Sequence, residues 1–128
     1  MGAAPAPRTG HPHAPAPFVV ERVAEWHEAD ANGHVNNAVY ADWLDDAMRG
    51  AMAELGRSVE AMREEGVHLR GEYYSLNYRR AVLPGDRLRI ATRIEGASDR
   101  LYAVRQEIMD GEGGAVLEGR SVYGERKT

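Results

Sequence analysis

The sequence predicts an α+β domain in which one long helix lies against an antiparallel sheet, and three features predict it. Apolar residues fall at helical spacing only once, from Tyr40 to Leu55. From Val67 onward the apolar period shortens to two. The strand-like segments there are joined by short turns, which favours antiparallel over parallel pairing.

Taken in order, Met1 to Pro17 is rich in Ala, Pro, Gly and His and reads as a disordered tail leaning towards polyproline II. It carries His11 and His13 as an H-P-H pair. Phe18 to His27 is rich in β-branched and aromatic residues and reads as a strand. Glu28 to Asn36 is a polar loop. In the helix that follows, Tyr40, Trp43, Leu44, Ala47, Met48, Ala51 and Leu55 share one face, with Asp42, Asp45, Asp46, Arg49 and Glu54 between them. Asn36 is the natural N-cap and Gly56 the natural stop. Gly50 costs helix stability, a cost that close approach of a neighbour would justify. Arg57 to Glu65 reads as a short irregular helix ending at Gly66.

Four strands complete the chain. Val67 to Arg80 puts Tyr74, Leu76 and Tyr78 on one face and Tyr73, Ser75 and Asn77 on the other. Pro84-Gly85-Asp86 marks a turn. Arg87 to Glu95 and Leu101 to Met109 alternate in phase. Asp110 to Gly114 is a glycine-rich turn, and Ala115 to Tyr123 is the last strand. The domain is expected to span residues 18–124, with tails at 1–17 and 125–128.

Composition excludes several functions. The formal net charge of −4, with no Lys/Arg run, argues against a nucleic-acid partner. The absence of cysteine removes disulfides, cysteine metal ligands and a cysteine nucleophile. No apolar run approaches the ~20 residues that span a bilayer, so no membrane partner is expected. The tail lacks the apolar stretch of a secretory signal and the composition of a transit peptide, so the expected location is cytoplasmic. There is no G-x-S-x-G elbow and no phosphate-binding glycine loop, because Gly111, Gly113 and Gly114 sit between strands. His27 and His34 are not spaced as H-E-x-x-H, and neither a metal nor a cofactor is expected.

Chemistry concentrates in Trp26-His27-Glu28-Ala29-Asp30-Ala31-Asn32-Gly33-His34-Val35-Asn36-Asn37, which leads into the N-terminus of the long helix. That end offers free N–H groups and partial positive charge, suited to polarising a carbonyl oxygen. A nearby carboxylate can attack the carbonyl carbon or activate a water, which together gives acyl transfer or thioester hydrolysis. Asp30 lies six residues before the cap, and Gly33 permits the turn that brings it alongside. Asp and Asn before a helix also serve simply as loop and capping residues, and that reading stands beside the catalytic one.

The pattern Trp26-x-Glu28-x-Asp30-x-x-Gly33-His34-Val35-Asn36-Asn37-x-x-Tyr40-x-x-Trp43 resembles the signature of the 4-hydroxybenzoyl-CoA thioesterase-like branch of the hot-dog superfamily. Tyr78-x-x-Ala81-x-x-Pro84-Gly85-Asp86-x-Leu88 resembles the family's entry into its third strand. The match runs from about Val19 to Tyr123. It implies a hot-dog fold, with a five-stranded antiparallel sheet wrapped around one long central helix. It also implies a homodimer at minimum, extending to a tetramer in some members, with the active site at the dimer interface and an acyl-CoA or acyl carrier protein as substrate.

Position by position, the resemblance makes Asp30 the catalytic carboxylate, as nucleophile or general base, and the backbone N–H of Asn37 the group that polarises the thioester carbonyl. Glu28, where many members have Asp, is a supporting carboxylate of the loop, with competition with Asp30 for the catalytic role as the alternative. His34 orders the loop, faces substrate or acts as a base. Asn36 caps the helix and lies close to substrate. Tyr40 and Trp43 pack behind the loop. Tyr73 and Asn77 are expected to approach the partner's site, and Arg100 and Arg80 to hold CoA phosphates. Two other readings stay open: a hydratase, dehydratase or conjugate-addition enzyme acting on enoyl thioesters, and a non-catalytic acyl-thioester binding protein.

Overall fold

The computed structural model describes residues 16–128. The tail with His11 and His13 lies outside the described residues. The elements run β1 (Phe18–Val23), a 3-10 turn (Trp26–Glu28), α1 (Asn37–Glu54), α2 (Val59–Glu64), β2 (Val67–Tyr78), β3 (Arg87–Ser98), β4 (Leu101–Asp110) and β5 (Ala115–Lys127). One antiparallel sheet of five strands has the order β1-β3-β4-β5-β2. This is the α+β architecture expected, with α1 against the inner face of the sheet.

Helix α1 forms where the pattern places it. The Asn36 side chain accepts from Val39 N–H at 3.2 Å, capping one of the free amides of the first turn. At the other end Gly56 takes φ +80°. Gly56 N–H donates to Ala53 O and Arg57 N–H donates to Met52 O, the paired closing bonds that a left-handed residue makes possible. Tyr40, Trp43, Leu44, Ala47, Met48, Ala51 and Met52 are buried. Gly50 is explained by contact: a Cβ there would lie 2.6 Å from the Phe18 ring, which packs over the helix at this point and would have to shift.

Register shifts interrupt three strands, the one in β5 at Val116. In β2 the register with β5 shifts between Gly71 and Tyr73, which leaves Glu72 as an extra residue. Val67, Leu69 and Gly71 face α1 before the bulge, and Tyr74, Leu76 and Tyr78 face it afterwards. A second bulge at Glu95 lets β3 continue to Ser98, beyond the expected end. Below α1 the core forms two clusters. One is built on Tyr40, Trp43, Leu44, Ile90, Ile108 and Leu117. The other is built on Met48, Met52, Met62, Tyr102, Val104 and Tyr123.

Three expectations are corrected. The first strand stops at Val23 rather than His27, because Trp26–Glu28 coils into the 3-10 turn and leaves Trp26 82% exposed. The link from β2 to β3 is a crossover and not a hairpin: β2 pairs with β5, whereas β3 lies between β1 and β4. Residues 125–127 are strand rather than tail. Lys127 pairs with Val67, and Glu125 is buried.

Candidate active site

The residues of the loop between the 3-10 turn and α1 fold back on themselves. Ala29 and Val35 form an isolated antiparallel bridge, Asp30 N–H donates to His34 O at 2.8 Å and Gly33 N–H donates to Asp30 O at 2.9 Å. Gly33 closes this turn at φ +79°, a conformation costly for any residue with a Cβ. Val35 N–H donates to Val82 O at 2.9 Å, which ties the loop to the β2–β3 crossover. Asp30 sits at the corner. Its Oδ1 accepts from Asn32 N–H at 2.9 Å and from His34 N–H at 3.3 Å, while Oδ2 has no hydrogen bond among the described residues. The loop therefore uses one oxygen of an exposed carboxylate and leaves the other without a hydrogen bond among the described residues.

The turn delivers the chain to Asn36 and the start of α1. Val39 N–H is capped, whereas the N–H groups of Asn37 and Ala38 have no hydrogen-bond partner among the described residues. They lie at the positive end of a helix about 27 Å long. One short segment, Asp30 to Ala38, thus carries both an unbonded carboxylate oxygen and unbonded amide donors. His34 contributes its backbone to the loop, and its ring is exposed.

Glu28 does not share this freedom. It is 7% exposed. Its Oε1 accepts from Glu25 N–H at 2.8 Å, and its Oε2 accepts from Trp43 Nε1 at 3.0 Å and Arg22 at 3.2 Å. Burial alone would raise its pKa. These donors more than offset that, and hold Glu28 below the usual carboxylate range. Arg22 in turn covers the Trp43 ring at 5.2 Å. Glu28 is the bolt between the 3-10 turn and α1, with both of its oxygens engaged. Tyr40 has a similar supporting position: its hydroxyl accepts from Val82 N–H at 3.1 Å, and its ring meets those of Trp43 and Tyr78.

The remaining site residues divide by location. Arg80 is at the Asp30 end of the sheet but is engaged, donating to Ala81 O at 2.8 Å and Asp110 at 3.2 Å and facing Asp86 at 3.5 Å. It clamps the crossover to the β4–β5 turn. Arg100 lies in the tight β3–β4 turn, at φ +63°, and pairs with Glu125 at 3.3 Å. The length of β4 separates it from the Asp30 end, ~33 Å along ten residues. Within one chain the structure does not bring Arg100 to Asp30. Nor does it bring Tyr73 or Asn77 there. Both are exposed, and they alternate onto the outer face of the sheet, away from α1. Asn77 there shares a shallow groove with Arg105, Glu107, Glu118 and Arg120.

Two polar clusters were not legible as such. Asp45, one of several acids between the apolar positions of α1, accepts from Tyr74 at 3.0 Å and Tyr123 at 2.6 Å. Burial and this carboxylate push the Tyr123 phenol well above its ordinary range. At the C-terminal end of α1, Arg57 bridges Glu65 and Glu125, and Tyr102 also donates to Glu125. The bonds join residues up to 78 positions apart, so no local signal announces them. Among the described residues no group of His, Asp and Glu is placed to hold a metal ion, and no helix is long and apolar enough to cross a membrane.

The model of the thioesterase-like superfamily matches residues 24–124. The chain belongs to that superfamily. That span contains the Asp30 turn, α1 and the sheet as far as Gly124. A search of the curated proteins finds no match. Among solved structures, the thioesterase-like chain is similar to a DHNA-CoA thioesterase from Staphylococcus aureus, with a TM-score of 0.80, 22% identity and coverage of 87% of this chain and 74% of the other. It is similar also to a 1,4-dihydroxy-2-naphthoyl-CoA thioesterase from Synechocystis, at 0.77, 18%, and 88% of both chains. A Staphylococcus aureus protein solved in complex with CoA gives 0.80 at 13% identity, covering 96% of this chain and 73% of that one. At these identities the likeness is one of fold, and it is the hot-dog fold.

Proposed function

We propose that this chain hydrolyses the thioester of an acyl-CoA, with Asp30 as the catalytic carboxylate. The observation that carries the proposal is that the one segment from Asp30 to Ala38 holds both an Asp30 Oδ2 without a hydrogen bond and Asn37 and Ala38 N–H groups without a partner among the described residues. The thioester oxygen accepts from Asn37 N–H, and the helix terminus stabilises the negative charge that develops on it. Asp30 then acts in one of two ways. As a base it takes a proton from water while the water oxygen bonds to the carbonyl carbon. As a nucleophile it bonds to that carbon itself, and water later opens the anhydride. In either route the C–S bond breaks, the thiolate takes up a proton, and carboxylic acid and free thiol leave. Structures named as CoA thioesterases, and one with CoA bound, support CoA as the leaving group, and the likeness to an acyl-ACP thioesterase keeps a carrier protein as the alternative.

The working form we propose is a homodimer joined along β2. This edge strand runs for 12 residues and exposes Tyr73, Tyr74 and Tyr78, whereas the opposite edge, β1, has six residues. A long aromatic edge with free backbone donors and acceptors is suited to pairing with a second copy. In that dimer Tyr73 and Asn77 border the interface, and Arg100 of one chain reaches the partner's site. His34 and Asn36 line the acyl entrance.

The test is thiol release over a panel of acyl-CoAs from acetyl to palmitoyl, including aryl esters, for wild type and Asp30→Asn. The Asn side chain keeps an oxygen for the Asn32 and His34 N–H groups, so the turn survives. Turnover is expected to fall by at least about 100-fold with an unchanged melting temperature. Near-normal release from the variant would remove Asp30 from its role.

A further inference from the structure

Trp26 is 82% exposed. Among the described residues the next most exposed large apolar side chain is Tyr73, at 59%, and it lies on the β2 edge assigned above to the dimer. A scattered surface valine needs no explanation, but tryptophan is large and highly buried on average. The fold makes no use of this one. Its ring meets no other ring, and its indole N–H has no acceptor among the described residues. Trp43, by contrast, is buried and bonded to Glu28.

The backbone that carries Trp26 is nonetheless fixed. Glu28 accepts from Glu25 N–H on one oxygen and from Trp43 and Arg22 on the other, and Ala29 N–H donates to Trp26 O at 3.2 Å. That turn bond keeps the Cα atoms of Trp26 and Ala29 within about 7 Å, and one further residue adds about 3.8 Å, so the Cα atoms of Trp26 and Asp30 stand within about 11 Å of each other. A medium-length acyl chain crosses that distance. The Glu28 bolt thus holds the Asp30 turn on one side and an exposed indole on the other. Two more exposed apolar residues attend this corner. Val23 ends β1, and Leu83 lies in the crossover turn, which is tied to Ala24 by bonds from Ala24 N–H to Asp86 O and from Gly85 N–H to Ala24 O. The space under the first turns of α1 is filled by Tyr40, Trp43, Leu44, Val82 and Leu117, all buried.

A thioester held at the start of α1 has two arms. The sulfur arm of CoA carries amides, which need hydrogen-bond partners, whereas the acyl arm is apolar and needs an apolar wall. The exposed apolar corner at Trp26 suits the second arm. We propose that Trp26 is the specificity-determining residue of this site, the wall against which the acyl group packs, so that the enzyme selects acyl chains long enough to cover the indole. The inference rests on the thioesterase reading.

Fluorescence tests it directly. The chain has two tryptophans, and Trp43 is 1% exposed, so the emission that acrylamide reaches comes from Trp26. S-octyl-CoA, a thioether with no carbonyl to hydrolyse, should lower the acrylamide quenching constant severalfold, while CoA alone leaves it near the ligand-free value. No shielding by S-octyl-CoA, or equal shielding by CoA, would overturn the assignment. So would a Trp26 already shielded in the ligand-free protein, which would place the ring against a second copy of the chain. Kinetics give a second readout. Trp26→Ala should lower the ratio of kcat/KM for octanoyl-CoA to kcat/KM for acetyl-CoA by about tenfold or more, the effect of losing contact with a few methylenes. The loss should fall mainly on KM for the longer substrate, and Trp26→Phe should restore much of the ratio. Equal losses with both substrates would make Trp26 a structural residue and sink the proposal. Shielding that grows with chain length in a protein that releases no thiol would uphold the acyl wall and remove the thioesterase reading instead.

Discussion

At its C-terminal end α1 runs into a saturated ion network, whereas at its N-terminal end it opens onto a loop that keeps donors and an acceptor free. The residue types are similar, carboxylates beside arginine or backbone N–H groups, but their use is opposite. Glu125 is 5% exposed and takes bonds from Arg57, Arg100 and Tyr102. Burial would raise its pKa, and the Arg57 and Tyr102 hydrogen bonds with the nearby charge more than offset that. Asp30 is exposed and half used. A carboxylate can have both oxygens committed to the fold or keep one of them unbonded. Glu28 shows the first condition only two residues from Asp30, so sequence proximity to the site is no guide to role.

The contrast can be broken from either side. The largest effect is expected from Asp30→Asn, which should cost orders of magnitude in turnover and almost nothing in stability, measured by thiol release and thermal melting on the same preparation. Arg57→Ala should do the reverse. It leaves Glu125 buried without its main partner, at a cost of about 3–5 kcal/mol read from denaturant unfolding. Its kcat should stay near wild type.

Titration probes the same network more gently. Glu28 and Glu125 have folded pKa values below 4.5, so the unfolded chain binds protons first as pH falls. The stability they supply is complete above that value and drains away below it as pH drops through the folded pKa values. Tyr102 is pushed up to about 12 by burial and by Glu125, so its contribution is complete below 10.0 and is lost as pH rises towards 12. Unfolding free energy against pH should be a plateau with an acid and an alkaline shoulder. In Tyr102→Phe the alkaline shoulder should shrink. The smallest effect is expected from Asn36→Ala, about 1 kcal/mol from loss of the cap to Val39 N–H, measured by denaturant unfolding.

Much of this was legible in the sequence because it is local. The spacing from Tyr40 to Leu55, the Asn36 cap and the Gly56 stop each act within a few residues and fixed α1 at both ends. The Asp30 turn was legible for the same reason, since Gly33 and the Asx bonds span four residues at most. The strand bodies followed from period-two alternation. Their pairing did not. The link through Pro84-Gly85-Asp86 looks like a hairpin turn in the sequence, but β2 finds β5 instead of β3. That choice depends on which buried faces meet across α1, not on the turn residues.

The sequence alone, then, determined the α+β class, the one central helix and the placing of Asp30 before a helix N-terminus, because periodicity, capping and turn chemistry are short-range. Only the tertiary structure decided that Glu28 is a bolt, that Arg80 is a clamp, that Arg100 stands at the far end of the sheet and that Glu125 belongs to a buried network. A charged side chain has no fixed meaning in sequence. Its role depends on the partners that folding brings within hydrogen-bond reach and on how much water folding removes from around it.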